Sequence, residues 1–208
     1  MTTHATLLTT LALLALALPA RADEAITTSA AANSPRFVPT LSLETGQHAE
    51  ELRLDLGERT EREQRALWSS RLALGLGYPI PIDGLGFGQL RGQSSVGVGL
   101  VYELGHWPVH LRQELLLEIP LTSWLAAVGG LGTGVQLNTS AWARSYWEVT
   151  APIGLRAGPV EVLYLPAALI GLGAETEEVF GGERRHGVAN GLAPLNVVAR
   201  VRFERLGW

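Results

Sequence analysis

The chain has 208 residues, 16 of them basic and 20 acidic, and this length is enough for one domain with a real core. The formal net charge of -4 excludes the electrostatic attraction on which non-specific nucleic-acid binding depends, so no nucleic-acid partner is expected. The absence of cysteine excludes a disulfide framework, a thiolate metal site and a cysteine nucleophile.

The N-terminus has the pattern of an export signal. Residues 7–18 read LLTTLALLALAL, and Pro19 and the small-x-small sequence Ala20-Arg21-Ala22 follow. A transmembrane helix would need about twenty apolar residues, so the run is too short for an anchor. We therefore predict a signal peptide over residues 1–22 and a mature chain that begins at Asp23. Residues 23–50 are an N-terminal extension or first-strand region, and residues 51–208 are the β domain.

Beyond about Glu51, apolar residues recur at every second position, the period of a β-strand with two different faces. Leu72, Leu74 and Leu76 alternate with Arg71, Ala73 and Gly75 in one of these runs. The runs are longer than the roughly five or six residues typical of soluble strands. They reach the roughly nine to eleven residues that a tilted strand needs to cross a bilayer.

Aromatic residues collect near the ends of the runs, as in the girdles that mark the two interfaces of a membrane barrel. They are Tyr78, Tyr102, Trp107, Trp124, Trp142 and Phe203. Eight runs can be counted from Leu52 to Phe203, the even number expected of a bacterial barrel. Residues 173–190 are then a long external loop. Residues 37–43 also alternate, and they belong either to the extension or to a ten-stranded arrangement.

These features resemble those of the small outer-membrane β-barrel proteins of Gram-negative bacteria: an export signal, repeated alternation and an aromatic last residue, Trp208, with Leu206 before it. The resemblance implies an all-β fold, an antiparallel up-and-down transmembrane β-barrel of eight strands, with ten as the alternative. It also implies location in the bacterial outer membrane, contact with outer-membrane lipid and insertion by the barrel-assembly machinery.

If the apolar face of each strand meets lipid, the polar face fills the barrel interior. An eight-stranded barrel is only wide enough for its own side chains, and charges buried there must pair. We therefore predict an interior polar network that plugs the barrel, and we place Arg53 and Asp55 on the same face. The predicted network consists of Arg71, Glu103, His110, Arg112, Glu114, Glu118, Arg144, Glu148, Arg200 and Arg202.

No residue pattern predicts a catalytic, cofactor or metal site. His110, Glu114 and Glu118 share a face, but strand residues four apart are separated by about 13 Å, too far for one metal ion. Lipid A deacylases place a serine two residues after a histidine in a barrel of this kind. Here the segment His186–Asn190 has Val188 in that position. The sequence therefore leaves enzymatic activity open and favours its absence.

Three functions remain open from the sequence. The leading hypothesis is an outer-membrane barrel with a structural or surface-interaction role, whose external loops contact a partner that the sequence does not identify. The first alternative is an exported soluble barrel that binds a small apolar ligand, which requires an apolar interior and charges outside. The second alternative is a lipid-modifying membrane enzyme of the lipid A deacylase type.

Overall fold

The computed structural model describes residues 37–82, 86–102 and 104–204, which form one antiparallel β-sheet. The predicted signal peptide, Glu103, Leu206 and Trp208 lie outside these residues. Within them, no helix is long and apolar enough to cross a membrane. The strands are β1 (Val38–Asp55), β2 (Thr60–Ile80), β3 (Gln89–Val101), β4 (Val109–Pro120), β5 (Leu125–Leu137), β6 (Tyr146–Thr150), β7 (Ile153–Ala157), β8 (Val160–Tyr164), β9 (Ala167–Gly171), β10 (Glu175–Val179), β11 (Gly182–Val188), β12 (Gly191–Ala193) and β13 (Val197–Arg202).

The sheet closes into a barrel because β1 pairs with β2 on one side and with β13 and β11 on the other. Strands β1 to β5 are continuous. The sixth barrel position is shared by β6 and β7, the seventh by β8 and β9, and the eighth by β12 and β13. Pro152 and Pro166 lie in the breaks between the paired pieces, where a residue without an N–H group does least damage. The predicted eight-stranded antiparallel barrel is confirmed.

The two faces of the barrel wall differ in polarity, as the alternation predicted. On β2, Leu74 is 65% exposed, whereas the neighbouring Ala73 and the inward Arg71 are buried. The same alternation along β4 exposes Leu111 and Leu115 and buries Arg112 and Glu114. Apolar side chains therefore cover the outside, and polar side chains fill the inside.

The first strand differs from its predicted course. Residues 37–43 were a possible ninth run, and Leu52 began the first, but β1 continues from Val38 to Asp55 and contains both. The alternation is hidden between them because outward Thr45 and Gln47 are polar, like their inward neighbours. The assignment of Arg53 and Asp55 to the interior was wrong. Inward residues of β1 have even numbers, so these two side chains lie on the outer face.

Residues 173–190 were predicted to be a long loop, but they contain the hairpin formed by β10 and β11. β11 continues the sheet by pairing with residues 50–55 of β1, which in turn pair with residues 60–65 of β2. We call these four segments the extended sheet. β3 pairs with β2 only from Ser69 onward, so the extended sheet projects beyond the closed part of the barrel.

The aromatic side chains lie at both ends of the closed part of the barrel. Tyr102, Trp107 and Trp142 are exposed near the extended sheet, which we call the hairpin end. Trp124 and Phe203 are exposed at the opposite end, the terminal end, where β1 starts and β13 finishes. Exposed leucine, valine and isoleucine side chains cover the wall between the two groups.

Candidate functional site: the barrel interior

Four charged side chains meet inside the barrel near the hairpin end, and we call them the first cluster. They are Glu44, Arg71, Arg112 and Glu148, all buried. Arg112 Nη1 lies 2.7 Å from Glu44 Oε2, and its Nε lies 2.8 Å from Glu148 Oε1. Arg71 Nη1 lies 3.1 Å from Glu44 Oε1 and 3.4 Å from Glu148 Oε2. Two arginines thus neutralise two glutamates that arrive from different strands.

Three further side chains complete the first cluster. His110 Nε2 lies 2.9 Å from Glu148 Oε1. Arg71 donates a hydrogen bond to the Tyr146 hydroxyl, which donates to Gln136 Oε1 at 3.1 Å. Each of these side chains projects inward from its own strand because the alternation places it on the polar face. The result is a hydrogen-bonded layer across the barrel.

A second cluster lies nearer the terminal end. Arg200 Nη2 is 2.5 Å from Glu114 Oε2, and its Nη1 is 3.3 Å from Glu161 Oε2. Arg202 Nη1 is 2.9 Å from Glu118 Oε2. Arg91 also pairs with Glu161, and Arg156 pairs with Glu118. Apolar side chains pack inside the barrel as well, namely Leu116, Val128, Leu163, Leu165 and Val198.

The predicted network residues divide between these groups. Arg71, His110, Arg112 and Glu148 are in the first cluster, and Glu114, Glu118, Arg200 and Arg202 are in the second. Arg144 is separate from both and lies 3.0 Å from Glu50 at the hairpin end. His110, Glu114 and Glu118, which share a face, contact different partners. In the described part of the chain no group of three or more metal-ligating side chains forms.

Sequence reasoning missed several members of the clusters. Glu44 and Arg91 each make two ion pairs, and Arg156 makes one. The inward position of Arg91 could have been recognised from the alternation. Arg91 is an even number of residues from Gly97 and Gly99, which lie on the inner face of β3. Glu44 likewise continues the inward series of Thr40 and Ser42. Both residues precede the apolar runs from which the alternation was recognised, so they were not counted.

The extended sheet carries charged side chains on both faces, and Leu52 and Leu54 lie on one of them. Arg62, Arg53 and Arg185 lie opposite one another on three neighbouring strands and line a concavity of about 400 Å³. On the other face, His186 Nε2 lies 3.1 Å from Glu175 Oε2. At the edge of the sheet, a hydrogen bond from Arg65 and the charge of this residue lower the pKa of Glu63. This charge pattern is typical of a surface in water.

The strand pairing and the interior together define the class of molecule, a closed eight-stranded antiparallel barrel with an apolar exterior and an ion-paired interior. No family model matches the chain, and no curated protein matches it in sequence. One solved structure that the chain is similar to is "Ail, the attachment invasion locus protein of Yersinia pestis". The match has 12% sequence identity and a TM-score of 0.20, and it covers 77% of this chain and 97% of the other. At this TM-score, the architecture rests on the strand pairing described above.

Proposed function

We propose that the chain is an outer-membrane β-barrel protein that is closed to solutes and presents its extended sheet to partners. The single observation that carries this proposal is the polarity of the wall. Large apolar side chains are exposed all around the barrel, and charged side chains are buried inside it. In water, this arrangement would leave an extensive apolar surface exposed, which is unfavourable and rare in a soluble protein.

A bilayer reverses that balance. Outward side chains such as Leu74, Leu131 and Val162 are then in contact with hydrocarbon, and the closed sheet satisfies the backbone groups that lipid cannot. The exposed tryptophans at the hairpin and terminal ends match the aromatic girdles at the two interfaces. If the barrel follows the usual topology, its terminal end faces the periplasm and its hairpin end faces the cell exterior.

The interior supports a closed barrel. The two clusters cross the lumen at different heights, and Glu148, Glu161 and Glu114 within them have at most 1% exposure. A water-filled pore would leave such side chains hydrated. Ion pairs that join strands on different sides of the barrel also fix its shape, so the network has a structural role in this proposal.

The extended sheet supports a surface-interaction role. It carries charges of both signs on both faces, including Arg53, Arg62 and Arg185 in one row. Its two outer strands, β10 and residues 60–65 of β2, each have a neighbour on one side only in the part of the chain that the structure describes. A partner would therefore be recognised through charge and through exposed strand edges.

The soluble-binder alternative is opposed by the polarity of the wall, since that function needs an apolar interior and a charged exterior. For the enzyme alternative, His186 pairs with Glu175, but Val188 occupies the position of the required serine. Neither alternative has a specific observation in its favour.

The test of the proposed function is fractionation of cells that express the full chain, followed by electrophoresis with and without boiling. We expect the protein in the outer-membrane fraction, and we expect the unboiled sample to migrate differently because a folded barrel resists detergent. Recovery in the soluble fraction, with identical migration of both samples, would contradict the proposal.

A further inference from the structure

A group of polar side chains interrupts the apolar exterior and extends from Tyr78, near the terminal end of β2, to Gln113 in the middle of β4. Gln113 lies on the outer face of β4 between Leu111 and Leu115 and is exposed. Ser94 on β3 donates a hydrogen bond to Gln113 Oε1 at 2.5 Å. Gln113 Nε2 donates to the Tyr78 hydroxyl on β2, also at 2.5 Å. We call Tyr78, Ser94 and Gln113 the exterior polar patch.

The hydrogen-bonding capacity of the exterior polar patch is only partly used. A glutamine amide has two N–H donors and an oxygen with two lone pairs, and the two bonds use one donor and one lone pair. Among the described residues, no other group bonds to the Gln113 amide or accepts the Tyr78 hydroxyl hydrogen. Hydrocarbon cannot replace water as a partner, so this remaining capacity is costly in a bilayer.

The barrel wall is recessed beside the exterior polar patch. A depression of about 450 Å³ lies against Gln113, and Tyr78, Gly92, Leu115 and Leu131 line it. Gly92 leaves room for the Tyr78 ring, since a Cβ atom at position 92 would lie 2.2 Å from Tyr78 Cε2. The outer surface is thus recessed where the polar patch occurs.

We propose that the exterior polar patch is the contact between two copies of this chain in the membrane, with Gln113 facing Gln113 of the second copy. The inference rests on the proposed membrane location. Two copies inserted in the same direction are related by a two-fold axis along the membrane normal, so a residue near the axis meets its own counterpart at the same depth.

A glutamine is suited to such a position. Each amide can donate its free N–H to the oxygen of the other, so both copies satisfy the same unmet groups at once. Polar side chains join membrane segments in this way, and small residues at the contact allow close approach. A convex barrel offers only a narrow contact, so the predicted association is weak and depends on these hydrogen bonds.

The absence of native cysteine allows a direct test by crosslinking. The variant Leu115→Cys places a thiol on the outer face of β4 next to Gln113. The control Val197→Cys places one on the outer face of β13, four strands away around the barrel. Both proteins are inserted into phospholipid vesicles at low protein density and treated with a short bismaleimide. We expect crosslinked dimer from Leu115→Cys and monomer from Val197→Cys.

A second pair of variants tests whether the Gln113 amide stabilises the dimer. In the Leu115→Cys background, Gln113→Leu removes the amide, and dimer yield is measured over a series of protein densities. We expect the association constant to fall by about three- to tenfold, the effect of losing one or two interfacial hydrogen bonds in a membrane. The matched control is Thr45→Val. Thr45 is an outward polar residue that bonds within its own wall to Ser69 and Ser70, so its loss should leave dimer yield unchanged.

The outcomes separate this inference from the proposed function. Equal crosslinking at positions 115 and 197, or none at either, would overturn the dimer while a heat-dependent gel shift still supported the membrane barrel. A dimer whose yield is the same with Gln113→Leu would overturn the role of the amide. Failure of the unmodified chain to enter vesicles would overturn both proposals.

Discussion

Arg112 on β4 contacts Glu44 on β1, three strands away around the barrel, at 2.7 Å. The same guanidinium contacts Glu148 on β6, on the other side of β4. The Arg112 side chain therefore joins two strands that lie on opposite sides of β4 in the barrel wall. An eight-stranded barrel is narrow enough for this, because its interior is only as wide as the side chains that fill it.

The first prediction concerns the loss of that link. Arg112→Met leaves the buried carboxylates of Glu44 and Glu148 with less compensation. Removing one partner of a buried ion pair costs about 3–5 kcal/mol. We expect a reduction of this order in the free energy of unfolding, measured by urea titration of the barrel in vesicles.

The control for Arg112→Met is Arg65→Met. Arg65 pairs with Glu63 on the extended sheet, where both side chains are exposed. Solvent screens exposed ion pairs so that they contribute little to stability, and this variant should unfold almost as the unmodified chain does. Equal losses from the two variants would show that the interior network contributes no more than a surface pair.

The second prediction concerns the lipid-facing wall. Leu74→Arg places a charge on the outer face of β2 within the closed part of the barrel, where an arginine near the bilayer midplane costs about 2–4 kcal/mol. Gln64→Arg makes a comparable change on the same face of the same strand, but in the extended sheet. We expect the first variant to lower the fraction that folds into vesicles and the second to leave it unchanged. Equal yields would contradict the outward assignment of β2.

The third prediction concerns a close approach of two strands. A Cβ atom at Gly154 would lie 2.0 Å from the carbonyl oxygen of Val162 on the paired strand β8. The backbone would have to shift, so Gly154→Ala should destabilise the barrel by about 1–3 kcal/mol. Gly129→Ala is the control, since its nearest neighbour would be Pro152 O at 3.9 Å. Urea unfolding compares the two, and a larger loss from Gly129→Ala would be contrary to the structure.

The fourth prediction concerns conductance. The two ion-paired clusters and the buried apolar side chains between the barrel ends leave no continuous water column in this account. We expect planar bilayers that contain the purified protein to show only small or irregular currents. Large and stable conductance steps would mean that the interior opens in a membrane.

The sequence predicted the strands that form the barrel wall. It did not predict β10 and β11, which project beyond the wall in the extended sheet. Alternation is strong where one face is apolar and exposed and the other is packed with polar groups, as from Leu72 to Leu76. Charged residues alternate with charged or polar ones in β10 and β11, which include Glu177 and Arg184, so these two strands have no period-two hydrophobic signal. The same reason hid the middle of β1 around Gln47.

The composition of the interior was predictable, but its pairing was not. Alternation alone placed Arg71, Arg112 and Glu148 on the polar face. Which of them meet depends on strand register and on the order of strands around the barrel. Glu44 faces Arg71 on the neighbouring strand β2, but it reaches Arg112, three strands away, because the sheet curves into a closed barrel. Closure is a long-range property that local patterns do not carry.

The most direct test of the membrane barrel is a cysteine scan of β4 from position 109 to position 120 in vesicles that contain a lipid-phase fluorescence quencher. Each variant carries one fluorescent label in a chain that has no native cysteine. We expect strong quenching at odd positions, which include Leu111, Leu115 and Leu117, and weak quenching at even positions such as His110 and Glu114. Uniform quenching, or quenching at the even positions, would contradict a lipid-facing apolar wall around a closed polar interior.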